Sequence, residues 1–458
     1  MPVQPAESRY VVPFSSTVSG PAPLTWGMKA VLRDIRESGF SLNASGAQAV
    51  PEGATVESLA ERLSSLVSRH PALRVRLDTD ARGGDSLVVG DAGEIAVEVL
   101  DFGGDDDPAE VGKYIDQLWL DWLLTPFDHY RDLPIRFGVV RYEGKAIYQV
   151  PCYNHLVIDG AAITMLMEEF TTGTPAGGPM HLLDLVERER TPQALKANDR
   201  SLNYWQSHLR DIPPRTFGGP VHLEGRQGKR FWHARFSSPA AHLGVLAIAR
   251  RTGMDTSRVL FSVIATALGR ALDMRTLTAK VISSNRFRPG LADVIAPIAQ
   301  NSLVTVDLAD ATVDEVVARG RRALLAGGMH AYYDPDRLTE LMERLDAERG
   351  YQAQVSCRIN DRRMTNRQQV DELARTVEVT PEQLRAKLPE TWFSWDGTLD
   401  HLHEQAFITV EDHGDTVHLQ LIFDMACFTE SQIEDFAYGI EQVAVAAAFD
   451  PEAPAGIG

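Results

Sequence analysis

The sequence predicts a mixed α+β protein built as two lobes, and three observations carry that expectation. Strand-like and helix-like runs alternate irregularly instead of in βαβ order, which points to mixed sheets. At 458 residues the chain exceeds what one hydrophobic core usually supports. The stretch Thr171-Thr172-Gly173-Thr174-Pro175-Ala176-Gly177-Gly178-Pro179 is the clearest linker signal. It divides the chain into an N-terminal lobe, 1–175, and a C-terminal lobe, 176–458, each large enough for its own core.

The elements follow from local pattern. Between Ala54 and His70, the residues Leu59, Leu63, Leu66 and Val67 recur on one face and predict a helix. Ile135 to Arg141 and Ala146 to Asn154 read as strands, and Pro151 argues for an edge position or a bulge in the second. Ala161 to Phe170 reads as a helix. Further strands are expected at 280–284, 302–308, 353–359 and 417–423. Thr312-Val313-Asp314-Glu315 and Thr429-Glu430-Ser431-Gln432 are capping boxes that open helices. Thr380-Pro381-Glu382-Gln383 adds proline at the first helical position. The tail from Asp450 to Gly458 is expected to fray.

Composition narrows the function. The net charge of −18 argues against a nucleic-acid partner, which needs a basic face, and against anionic membranes. Cys152, Cys357 and Cys427 lie far apart with no C-x-x-C pair, so neither a disulfide framework nor a zinc site is expected, and a reducing compartment fits. No basic-then-apolar leader and no run of membrane-span length is visible, and the expectation is a cytoplasmic protein. There is no glycine-rich phosphate loop and no G-x-S-x-G elbow. No metal and no permanently bound cofactor is expected.

One hexapeptide carries chemistry: His155-Leu156-Val157-Ile158-Asp159-Gly160, an H-x-x-x-D-G pattern between the predicted strand and helix. Scaffolds commonly present catalytic groups at such a junction. An imidazole there can act as a general base near neutral pH. Asp159 can close the turn by ion pairing, and Gly160 permits a backbone shape that other residues resist. A strand-end histidine is also a common structural residue, so the hexapeptide alone leaves both readings open.

The chain carries further motifs in order: Pro23-Leu24-Thr25-Trp26-Gly27-Met28-Lys29-Ala30, then Ser68-Arg69-His70-Pro71-Ala72-Leu73-Arg74-Val75-Arg76. Pro126-Phe127-Asp128, Tyr204-Trp205, Ser284-Asn285-Arg286-Phe287-Arg288-Pro289-Gly290-Leu291 and Leu421-Ile422-Phe423-Asp424 follow. Together with the hexapeptide, this set resembles the condensation domains of nonribosomal peptide synthetases, within the chloramphenicol-acetyltransferase-like superfamily. The likeness runs from about residue 10 to about 448.

The resemblance implies two acetyltransferase-like lobes arranged as a V, with the active site in a tunnel between them. It implies acyl transfer from a thioester on a carrier protein's phosphopantetheine arm to an amine or hydroxyl, in natural-product and antibiotic biosynthesis. His155, Asp159 and Gly160 match the catalytic motif, and Arg286 matches the arginine that pairs with the aspartate from the other lobe. Asn360, by its approximate place in that pattern, is a candidate oxyanion donor or positioning group.

Two places depart from the pattern. Asn154 replaces the first histidine, leaving a hydrogen-bonding or positioning group that does not titrate. Ala296-Pro297-Ile298-Ala299-Gln300-Asn301-Ser302-Leu303 replaces a G-x-F-V-N-T-L-P run.

The expected activity is thus a free-standing condensation enzyme, met in trans by an acyl or peptidyl carrier protein. Its acceptor is a small amine or alcohol, or a second carrier-bound group. Two alternatives share the residues: an O-acyltransferase using acyl-CoA or a polyketide carrier, and a catalytically silent module that recruits partners. Arg319-Gly320-Arg321-Arg322 and the group from Arg358 to Arg367 are the local basic clusters that an acidic carrier would meet, and solvated faces are the plainer reading of both.

Overall fold

The computed structural model describes residues 4–80, 83–210, 212–217, 229–353, 355–363 and 367–458. The chain forms two compact units, one comprising 1–197 with 284–299, the other 198–283 with 300–458. The first break therefore falls at 197/198, where the sequence suggested 175/176, and a short segment from the second half folds with the first unit.

The first unit begins with β1 (Ala6–Ser15), β2 (Gly20–Pro23), α1 (Trp26–Ser38), β3 (Asn43–Ser45) and β4 (Gln48–Ala49). It continues through α2 (Val56–Arg69), a 3-10 turn at Pro71–Arg74, β5 (Val75–Thr79), β6 (Asp85–Val89) and β7 (Ala92–Phe102). Then come α3 (Pro108–Leu124), β8 (Ile135–Tyr142), β9 (Lys145–Asn154), α4 (Gly160–Thr172) and α5 (Leu182–Glu189). The boundary between units lies within α6 (Pro192–Leu209).

The main sheet of this unit runs β1-β7-β8-β9-β3, with β4 also on β9, and β2-β6-β5 form a small second sheet. Phe102 and Val150 from the sheet pack with Val111 and Ile115 of α3. The C-terminal half of β9 is buried at every residue, which suits an element covered on both faces. Pro151 lies opposite the break between β3 and β4, where the Gly46 N–H and the Ser45 hydroxyl both donate to its carbonyl. A missing N–H is tolerated at such a break.

In the second unit β10 (Phe231–Ser238), α7 (Pro239–Thr252), α8 (Thr256–Leu272), β11 (Thr276–Ser283) and β12 (Gln300–Asp307) come first. They are followed by α9 (Val313–Met329), α10 (Pro335–Arg349), β13 (Cys357–Asp361), α11 (Arg367–Thr376) and α12 (Pro381–Lys387). The last elements are β14 (Trp392–Leu399), β15 (Ala406–Glu411), β16 (Val417–Asp424) and α13 (Glu430–Ala447). The sheet order is β12-β11-β13-β15-β16-β10-β14. Its core joins alternate residues of these strands to apolar faces of α7, α8 and α13. The capping boxes at Thr312, Thr380 and Thr429 form as their sequences specify.

Two local expectations are corrected. The strand expected at 353–359 lies at Cys357–Asp361. The tail does not fray: Ala455 is fully buried, and its N–H donates to the Ala311 carbonyl while Asp310 N–H donates to Ile457. Alternating Ala453, Ala455 and Ile457 supply a small apolar edge that the core takes up. Among the described residues, no helix is long and apolar enough to cross a membrane.

Candidate active site

Asn154 closes β9, and His155 begins the turn that follows. The Asn154 amide NH2 faces three acceptors: the Ser41 carbonyl at 3.0 Å, the Ser41 hydroxyl at 3.1 Å and Asn43 Oδ1 at 3.1 Å. Its carbonyl oxygen accepts from Leu156 N–H at 3.0 Å, an Asx turn that bends the chain after the strand. The His155 N–H donates to the Leu42 carbonyl at 3.0 Å. Leu42 holds φ at +50°, a left-handed conformation that a branched aliphatic side chain resists. Its neighbours hold it there: Asn43 donates to the carbonyls of Trp122 in α3 and Thr125 just past it, and the Ser41 hydroxyl accepts from Phe127 N–H. The histidine backbone is thus gripped by residues 41–43. The His155 Nδ1 is buried without a hydrogen-bond partner.

Asp159 caps α4. Its Oδ1 accepts from Ala162 N–H at 2.9 Å and from Arg286 Nη2 at 2.6 Å. Its Oδ2 accepts from Ile298 N–H at 3.0 Å and Ala299 N–H at 3.2 Å. At 2% exposure this carboxylate needs every one of those donors. Arg286 also donates to the carbonyls of Ala292, Val294 and Ala296, and Asn285, at φ +57°, donates to the Ile298 carbonyl. The guanidinium therefore shapes the excursion 284–299 and ties it to Asp159.

That arrangement corrects three readings. Arg286 comes from the second half of the sequence but folds within the same unit as Asp159. None of the four donors to Asp159 is His155, so the carboxylate positions the turn and does not touch the imidazole. Gly160 is the first residue of α4, exposed, and its φ is not positive, so backbone freedom is not what it supplies.

The departure at 296–299 also has a physical account. Asp159 is met there by backbone amides, which almost any side chain leaves available. Gly27 explains the close fit on the other side, since a Cβ there would stand 1.7 Å from the Pro297 carbonyl oxygen.

The R-H-P-A-L-R stretch braces the far end of α4. His70 Nε2 lies 2.8 Å from Glu169 Oε2, Arg69 pairs with Oε1, and Ala176 N–H donates to Oε2 at 2.8 Å. Burial pushes the Glu169 carboxyl up, but the hydrogen bonds from His70 and Ala176 outweigh it and hold the pKa below its ordinary value. Arg74, fully buried, donates to the carbonyls of Val67, Val18 and Gly90. Burial lowers its pKa.

Sequence reasoning missed Ser41, Leu42, Asn43 and Glu169. Glu169 left a signal: with Ala162, Leu166 and Phe170 it falls on the buried stripe of α4, where a carboxylate must have partners.

The second unit repeats the local construction without the chemistry. β16 ends at Asp424, whose Oδ1 accepts from Ala426 N–H at 3.0 Å as Asn154 does from Leu156. Thr429 caps α13 as Asp159 caps α4. Met425, 1% exposed, stands where His155 stands. Asn360 also belongs to the second unit, on β13 opposite Thr409, and strand alternation turns it away from the core that takes Cys357 and Ile359.

Burial disfavours the thiolate of each cysteine: it lifts Cys152 and Cys427 to about 11 and raises Cys357 as well. The basic clusters are largely consumed. Arg319 pairs with Asp307 and donates to the Ala309 carbonyl, leaving Arg321 and Arg322 as the exposed members. Arg358, Arg362, Arg363 and Arg367 lie within ion-pair distance of Glu404, Glu411, Asp361 and Asp255 respectively.

The chain is 25% identical over 312 residues to phosphinothricin tripeptide synthetase PhsC of Streptomyces viridochromogenes, covering 64% of this chain but 28% of that protein. Among solved structures, the condensation domain for chain release from the enacyloxin polyketide synthase superposes with a TM-score of 0.70 at 17% identity, over 95% of this chain and 84% of that one. The SgcC5 protein of Streptomyces globisporus gives 0.68 at 19%, over 94% and 100%. At such identities the structural likeness is one of fold. The family model for the condensation domain matches residues 34–456, and a match of that extent means that this chain belongs to the condensation-domain family.

Proposed function

We propose that the protein is an acyltransferase that forms an amide or ester. It takes an acyl or aminoacyl group from the phosphopantetheine thioester of a carrier protein, and passes it to an amine or hydroxyl in antibiotic-type natural-product assembly. The observation that carries this reading is the braced H-x-x-x-D-G turn, in which His155 keeps a ring without side-chain obligations while Asp159 is fully ligated. The matching turn of the second unit carries Met425, which has no such chemistry.

In this reading Nε2 is the reacting nitrogen, since Nδ1 is buried and meets no partner. As the acceptor nitrogen or oxygen attacks the thioester carbonyl, Nε2 takes its proton. The tetrahedral intermediate collapses with cleavage of the C–S bond, and the imidazolium returns the proton to the leaving thiolate. Asp159 and Arg286 act as positioning residues for the turn. Asn360 is the candidate donor to the oxyanion, a role worth two to three orders of magnitude in similar chemistry.

The test is intact-mass analysis of separate carrier proteins loaded with candidate acyl groups, mixed with this protein and a panel of amines and alcohols. Acyl loss from the holo-arm with matched product formation is the expected result. No enzyme-dependent loss from any carrier would remove the reading.

A further inference from the structure

A cavity of about 230 Å³ opens on the first unit between β9, α2, the last turn of α4 and the chain that follows β4. Leu59 of α2 and Phe170 of α4, both buried, give it an apolar lining together with Val50 and Pro51. Phe170 stands ten residues beyond Gly160, roughly 15 Å along α4 at about 1.5 Å per residue. The cavity is therefore separate from the His155 turn.

Two polar side chains interrupt that lining. Gln149 of β9, 3% exposed, lies on the sheet face opposite its neighbour Val150, which packs with α3. Its Nε2 donates at 3.2 Å to Oε1 of Gln48, its register partner on β4. Its Oε1 is buried and meets no donor among the described residues. A buried acceptor left unpaired is costly, so this oxygen calls for an N–H or O–H. Arg62, exposed at the rim, donates through Nη1 to the carbonyls of Phe170 and Thr171 at 2.9 Å each. Its Nη2 makes no hydrogen bond among the described residues and remains a donor. The carbonyl end of α4 already shares the guanidinium charge, which weakens its pull on a full anion.

We propose that this cavity is a binding site for a small neutral amide carrying an apolar group. The amide N–H donates to Gln149 Oε1, its carbonyl accepts from Arg62, and the apolar group lies against Leu59 and Phe170. The volume falls below the roughly 300–1,000 Å³ of drug-sized sites, so the ligand is small. A carboxylate or ester of the same shape brings no donor and sets an oxygen against Gln149 Oε1. An amine brings the donor but places its charge beside Arg62. The site stands on the geometry of the first unit and does not depend on the acyl-transfer reading.

The experiment titrates the full chain separately with 3-phenylpropanamide, methyl 3-phenylpropanoate and 3-phenylpropanoate, by ligand-observed NMR at neutral pH. The amide should bind about tenfold or more tightly than either of the others. Gln149→Leu, which removes the buried acceptor, should bring the amide-to-ester ratio toward one. Arg62→Met should weaken amide and ester alike, since both bring a carbonyl. Val50→Trp, which fills the cavity from its half-buried wall, should abolish binding of the amide, and circular dichroism confirms folding of each variant.

Equal affinity of the wild-type protein for the three ligands, or tighter binding of the acid, would overturn the site. So would amide binding that a folded Val50→Trp variant leaves unchanged, because the ligand would then sit elsewhere. Failure of the amide to bind at millimolar concentration would overturn it as well.

Discussion

Arg286 Nη2 stands 2.6 Å from Asp159 Oδ1, across 127 residues of sequence, inside one compact unit. The pair is nearly buried, with side chains 12% and 4% exposed, so its desolvation cost is offset only while both partners are present. Asp159→Asn should therefore destabilise the protein by about 3–5 kcal/mol in urea unfolding. Pairing it with Arg286→Met should recover part of that loss. A double variant as unstable as the sum of the two single ones would show that the groups act independently.

His155→Ala should abolish acyl transfer by at least about a hundredfold while leaving the melting temperature close to that of the parent. The anchoring contact is made by the His155 backbone N–H to Leu42, which alanine keeps. Transfer at the parental rate would reject His155 as the base. Unfolding of the variant would show instead that the imidazole is structural.

Asn154 donates and accepts at once, which neither aspartate nor alanine can reproduce. Asn154→Asp keeps the Leu156 contact but removes the donor to Ser41 and Asn43, and should cost about 1–3 kcal/mol. Chemical denaturation checks the loss, and a variant as stable as the parent would reject the amide donor as a brace of the histidine turn.

Gly27→Ala places a methyl 1.7 Å from the Pro297 carbonyl oxygen, a backbone atom that cannot turn aside. Overpacking of this kind typically costs about 1–3 kcal/mol and can exceed that. The strain falls on the run that supplies Ile298 and Ala299 to Asp159, so turnover should fall together with stability. Thermal denaturation alongside the carrier assay checks both.

Stability should decline on mild acidification. Burial, aided by the Arg363 charge, pushes the His242 pKa down to about 4. An unfolded chain protonates that imidazole near pH 6.5, so the unfolded state gains protons first as pH falls. The penalty grows from about pH 6.5 to about pH 4 and reaches roughly 3 kcal/mol. His129, His233 and His418 are lowered in the same sense, chiefly by burial. His242→Gln should flatten, without removing, the slope of chemical-denaturation stability across that window.

Local pattern determined much of this protein. The apolar face of α2, the capping boxes at Thr312, Thr380 and Thr429, and the strand, turn and helix around His155 were legible because each depends on residues a few positions apart. The ordered motifs also identified the family, since their spacing preserves contacts that sequence alone does not display.

What only the tertiary structure decided was partnership. The excursion 284–299 joins the first unit because a guanidinium and two backbone amides satisfy one buried carboxylate, a balance invisible until distant segments meet. The grip of Ser41, Leu42 and Asn43 on the histidine turn is likewise a matter of backbone donors and acceptors, which every residue carries and no side-chain pattern announces. The tail was misread for the same reason: a few alternating small residues look unanchored until an apolar edge, the Ala311 carbonyl and the N–H groups of Asp310 and Val313 are found waiting for them.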